Sequence, residues 1–134
     1  MKHEWIVDVE ASFARCLVNE HFLDRFYEIF IKSHPAIKPM FANTDFTQQK
    51  ELLRHGLMSV MMFAENDPMA KACLDRIRES HNRKHLAIDP GLYKHWVESL
   101  IKTVSEIDPD YSPTLETSWM EVIKPGVAHI AGGY

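Results

Sequence analysis

The sequence predicts an all-α domain of about seven helices, and three observations predict it. Apolar residues recur at intervals of three and four from Ile6 to Ile130, which is the period of a helix with one buried stripe. The stripes are separated by Asp–Pro, Ser–Pro and Asn–Thr–Asp groups, the chemistry of helix starts. No window shows the sustained apolar/polar alternation, bounded by hairpin turns, that a half-buried strand needs. With 134 residues and 46% hydrophobic composition, residues 1–134 are expected to form one domain, burying roughly two thirds of the unfolded surface.

Each element has its own justification. Ile6, Val9, Phe13, Cys16 and Leu17 keep a helical period, and Phe22, Phe26, Ile29 and Phe30 resume it after Asn19–His21, giving two helices or one bent helix. Ser33-His34-Pro35 ends the run, because a residue before proline is pushed out of the α region. A connector with a second proline, Pro39, reaches Phe41, and Asn43-Thr44-Asp45 starts the next helix, about Phe46 to Ala64. That helix is expected to bury Leu53, Gly56, Leu57, Val60 and Met61. Asp67-Pro68 then opens a helix carrying Ala70, Leu74 and Ile77, and Asp89-Pro90 opens one carrying Tyr93, Trp96, Val97, Leu100 and Val104. Ser112-Pro113 opens the last, with Leu115, Trp119, Val122, Ile123, Val127 and Ile130, and Pro125-Gly126 predicts a kink or an early end within it.

Composition removes several function classes. A net charge of −4 without a Lys/Arg run gives no surface for nucleic acid. Cys16 and Cys73 have no CxxC spacing, which points to a reduced, cytoplasmic setting. The N-terminal residues lack a signal peptide's apolar core, and no run approaches the ~20 apolar residues that span a membrane.

Two polar residues stand on apolar stripes. His81 falls four beyond Ile77, and Gln49 lies in phase with Leu53, Gly56 and Val60. A buried imidazole needs a partner. A backbone carbonyl is one, an iron is another, and His81 with His85 at i, i+4 could contact zinc, although no Glu completes an HExxH pattern and no third ligand is evident. Gln49 also reads as a first-turn residue facing water, and Tyr27 as a core tyrosine with its hydroxyl at the surface.

Three segments resemble bacterial globins, in particular single-domain globins and the haem domain of flavohaemoglobins, over about Val9 to Ile130. They are FYEIFIKSHPAIKPMF at 26–41, QQKELLRHGL at 48–57 and SHNRKHLAIDPGLY at 80–93. The resemblance implies a globin fold around haem b. It makes His81 the proximal iron ligand, since the 32 residues from Gln49 to His81 match the family's distal-to-proximal spacing and select His81 over His85. It places Tyr27 and Gln49 on the distal side as donors to a bound gas, Phe41 as a wedge against the porphyrin and Leu53 one turn beyond Gln49. Ile77, Ile88, Tyr93 and Trp96 would line the proximal side and rim. A turn two residues longer than in flavohaemoglobins would bring Arg83, Lys84 and His85 near the propionates.

The implied activity is reversible binding of O2 and NO, with CO as a further diatomic ligand, for gas storage, sensing or detoxification. One alternative is an NO dioxygenase. The sequence contains no flavin- or nicotinamide-binding domain, so that reading requires an external reductase. The family's late glutamate, which raises electron density on iron, has no counterpart after Glu121. A second alternative is a haem-free regulatory domain of globin fold.

Overall fold

The computed structural model describes residues 2–134, and these form six α-helices, two 3-10 turns and no strand. The helices are α1 (Lys2–Val18), α2 (Phe22–Lys32), α3 (Phe46–Phe63), α4 (Pro68–His81), α5 (Tyr93–Ile107) and α6 (Pro113–Ala131). The 3-10 turns are Lys38–Phe41 in the connector and Pro90–Leu92 before α5. The expected count of about seven is therefore six helices plus these turns.

The starts follow side-chain chemistry. Asp45 accepts from the N–H groups of Thr47 at 3.0 Å and Gln48 at 3.4 Å, Asp67 from Met69 at 2.8 Å, and Ser112 from Leu115 at 3.1 Å, satisfying donors that a helix start leaves orphaned. Asp89 bonds Gly91 N–H at 2.7 Å and so caps the short Pro90–Leu92 turn, one turn earlier than the start of α5. α1 and α2 are separate helices, divided at 19–21 where Asn19 Oδ1 accepts from His21 N–H.

Around α6 the other helices assemble: α1, α3, α4 and α5 all pack on it, while α2 packs on α5 and α3 on α4. Trp119 is fully buried on α6 beside Val122 and Ile123. The early end expected at Pro125-Gly126 does not occur, since α6 continues to Ala131. Pro125 is exposed, so the carbonyl that its missing N–H leaves unpaired can be solvated. Gly126 is buried at a close crossing, where a Cβ would lie 3.0 Å from Val60 Cγ1 and 3.3 Å from Leu74 Cδ1. What reads as a breaker is thus the place where α6 meets α3 and α4.

A polar chain, buried at Ser12, Asp108 and Trp119, ties α1 to α6 and to the end of α5. Trp119 Nε1 donates to Ser12 Oγ at 2.9 Å, Ser12 donates to Asp108 Oδ2 at 2.6 Å, and Arg15 forks onto both Asp108 oxygens at 2.7 and 2.9 Å. Burial pushes the Asp108 carboxyl up, and the bonds from Arg15 and Ser12 outweigh it, so its pKa lies below the ordinary aspartate value. A depressed folded-state pKa contributes stability that is present above the unfolded value and is lost as pH falls through the folded one. Asp108→Asn should therefore cost about 2–3 kcal/mol at pH 7. The deficit should shrink as urea denaturation is repeated at falling pH. A deficit that stays constant down to acid pH would show that the carboxylate charge is not what matters.

Candidate functional site

Of the ten sequence-selected residues, Tyr27 lies on α2, Phe41 on the connector, and Gln49 and Leu53 on α3. Ile77 and His81 lie on α4, His85 and Ile88 in the turn after it, and Tyr93 and Trp96 on α5.

Tyr27 and Gln49 meet. Gln49 Nε2 donates to Tyr27 Oη at 3.1 Å, and the Tyr27 hydroxyl donates to the Gln49 backbone carbonyl at 3.4 Å, a long bond that leaves its proton weakly held. Tyr27 is buried, and burial pushes its phenol up to about 12 against the lowering effect of the Gln49 bond, so it is a neutral donor at any physiological pH. An aromatic box surrounds it: Phe41 at 5.6 Å, Phe46 at 5.4 Å and Phe26 at 5.2 Å between ring centroids, all edge-to-face. Phe41 stacks on Phe46 at 6.0 Å and also touches Phe30, while Phe26 meets Trp96 at 5.8 Å. Leu53, one turn beyond Gln49, is buried.

Phe46 and Phe30 belong to this box although the sequence reading did not select them. Their signal was present, since each stands three residues from a selected one, Phe46 before Gln49 and Phe30 after Tyr27.

His81 is the last residue of α4 and is half-buried. Its Nδ1 lies 2.8 Å from the Ile77 carbonyl and 2.9 Å from Ser80 Oγ. A carbonyl can only accept, so Nδ1 carries the proton and, in the neutral ring, Nε2 holds the lone pair. Nε2 has no hydrogen-bond partner among the described residues. Burial lowers the imidazole pKa, partly opposed by the Ile77 bond, which keeps the ring neutral near pH 7.

The turn after His81 closes on itself. Leu86 N–H bonds Ser80 O at 3.1 Å, Ala87 N–H bonds Asn82 O at 2.8 Å and Ile88 N–H bonds His81 O at 3.1 Å. Ala87 sits at φ 53°, in the left-handed region that a Cβ disfavours. His85 is exposed, its Nδ1 2.9 Å from Asn82 Oδ1, and Arg83 lies over the Tyr134 ring. His85 is thus engaged locally within the turn. Among the described residues no group of three or more His, Cys, Asp or Glu is placed to hold a metal ion. Tyr93 and Trp96 are half-buried, and burial raises the Tyr93 phenol to about 12.

The donor set suits the haem that the resemblance implies. One neutral imidazole offers a lone pair, and its second nitrogen is committed to a carbonyl, the arrangement that orients an axial ligand. Gly56, expected to be buried, is instead half-exposed on the Gln49–Leu53 stripe, and a Cβ there would meet nothing within 4 Å. The space beside Gly56 is therefore open, although Leu53, Leu57 and Val60 on the same helix are buried. Phe30, Phe41, Phe46, Ile77, Tyr93 and Trp96 are likewise large apolar or aromatic groups packed against the core yet only partly covered. Two polar surface clefts, of about 450 and 220 Å3, are lined by other residues.

Among solved structures the chain is similar to a protein from Pseudomonas aeruginosa PAO1 that is described as structurally highly homologous to a human hemoglobin. The two superpose with a TM-score of 0.92 at 37% sequence identity, over 97% of this chain and 98% of that one. No protein-family model and no curated protein matches the chain.

Proposed function

The chain belongs to the globin family, and from that premise we propose that it is a haem b protein that reversibly binds O2 and NO, with CO as a further diatomic ligand. The observation that carries this reading is His81, a neutral, half-buried imidazole whose Nδ1 is bonded at 2.8 Å to the Ile77 carbonyl and whose Nε2 is free to coordinate. α4, which bears it, packs on α3, which bears Gln49. When bound, the haem supplies an iron that takes up diatomic gases.

The chain's own residues would do the rest. His81 tethers the group from one side, and the partly covered aromatic and aliphatic residues hold the macrocycle. On the other side Tyr27 Oη–H and the Gln49 amide present donors to a gas that carries partial negative charge, which favours O2 over CO. Each such bond contributes about 1.5–3 kcal/mol, roughly ten- to a hundredfold in affinity. The Tyr93 hydroxyl has no hydrogen-bond partner among the described residues, so no carboxylate there adds to the electron density on the proximal side. That favours reversible binding over oxidative turnover with an external reductase. Among the described residues no helix is long and apolar enough to cross a membrane.

Two sets of variants test these assignments. His81→Ala should abolish tight haem binding in a titration followed by absorbance, whereas His85→Ala should keep it, because the His85 ring is turned onto Asn82 at the surface. The reverse order would move the ligand to His85. Tyr27→Phe should speed O2 dissociation about tenfold or more and CO dissociation far less, measured by stopped flow. Equal, small effects on both gases would mean that the hydroxyl does not face the ligand.

A further inference from the structure

We propose that Lys50 is a positioning residue for gas discrimination, acting through its ion pair with Asp24 on the Tyr27–Gln49 hydrogen bonds. The inference rests on the distal role proposed for Tyr27 and Gln49. Lys50 Nζ lies 2.9 Å from Asp24 Oδ1. Asp24 and Tyr27 stand three residues apart on α2, so they are neighbours along that helix, and Gln49 and Lys50 are consecutive on α3.

The peptide unit joining Gln49 to Lys50 is therefore held against α2 at both ends. The Gln49 carbonyl is part of that unit and accepts from Tyr27 Oη at 3.4 Å, and the Gln49 side chain donates back at 3.1 Å. The Lys50 ammonium, on the residue that follows, reaches Asp24 on α2. Nearby charges do not compete for these two. Arg25 is engaged by Glu106 and Glu28, and Glu51 by Arg54.

A bond already at 3.4 Å weakens steeply with small displacement, so a device that fixes the first turn of α3 sets how the Tyr27 proton is shared between the Gln49 carbonyl and a bound gas. The Lys50 and Asp24 side chains are 32% and 48% exposed, which makes the pair modest in strength and open to screening by salt.

The test uses the full chain reconstituted with haem, alongside the apoprotein. Lys50→Met and Asp24→Asn should each speed O2 dissociation about two- to fivefold, with a smaller change for CO. The double variant should add little to either single change, and the charge swap Asp24→Lys with Lys50→Asp should recover part of the loss. Raising salt from about 0.02 to 0.5 M should move the unsubstituted protein toward the variants and leave Lys50→Met unchanged. In the apoprotein, amide hydrogen exchange over 46–50 should quicken in both single variants, a readout that needs no gas.

An unchanged O2-to-CO ratio in Lys50→Met, while Tyr27→Phe alters it, would overturn the positioning role and leave the distal assignment standing. An unchanged ratio in Tyr27→Phe would remove both. Faster exchange with an unchanged ratio would reduce the pair to a structural contact.

Discussion

The 2.8 Å bond between His81 Nδ1 and the Ile77 carbonyl is the constraint on which the functional reading depends. It fixes which ring nitrogen is protonated, and it fixes the ring's direction, because the acceptor belongs to the last full turn of α4. Ser80 Oγ adds a second contact to the same nitrogen while itself bonding Ile77 O. Partial burial then disfavours the imidazolium. An ordinary buried histidine would satisfy both nitrogens, and this one satisfies one.

The fold supplies the surroundings of that ring through α6. Trp119 and its neighbours fill the centre, and Gly126 lets α6 approach Val60 of α3 and Leu74 of α4 closely. The helices that carry His81 and Gln49 therefore lean on one backbone. On the far side of the molecule, the Ser12–Asp108–Arg15 chain fixes α1 to the end of α5 and joins α6 through Trp119. The partly covered aromatic residues include those around Tyr27, on α5 and on the connector, together with Trp5, Phe63 and Tyr111 elsewhere on the bundle. The group around Tyr27, with Tyr93 and Trp96, offers the kind of apolar surface that a large, flat cofactor requires.

Much of this was legible because it is local. The helix starts at Asp45, Asp67 and Ser112 and the inward phase of Gln49 and His81 all depend on residues within one or two turns. What was not legible depends on tertiary register. Pro125-Gly126 carries the local signature of a break, yet a close crossing by α3 and α4 turns it into a packing site. Gly56 has the phase of a core residue, and only the path of the neighbouring helices leaves its side open. The pairing of Lys50 with Asp24 joins residues on two helices, α2 and α3, where sequence gives charges without distances. Phe46 and Phe30 were recoverable from spacing alone.

The absorption spectrum of the purified protein in its ferric, ferrous and CO-bound forms tests the central claim most directly, because it reports cofactor and coordination together. A Soret band after haem addition and a ferrous form whose spectrum shifts on exposure to CO are expected, with the band lost in His81→Ala. A protein that shows no Soret absorbance after incubation with haem would contradict it, and would leave a globin fold that holds no tetrapyrrole.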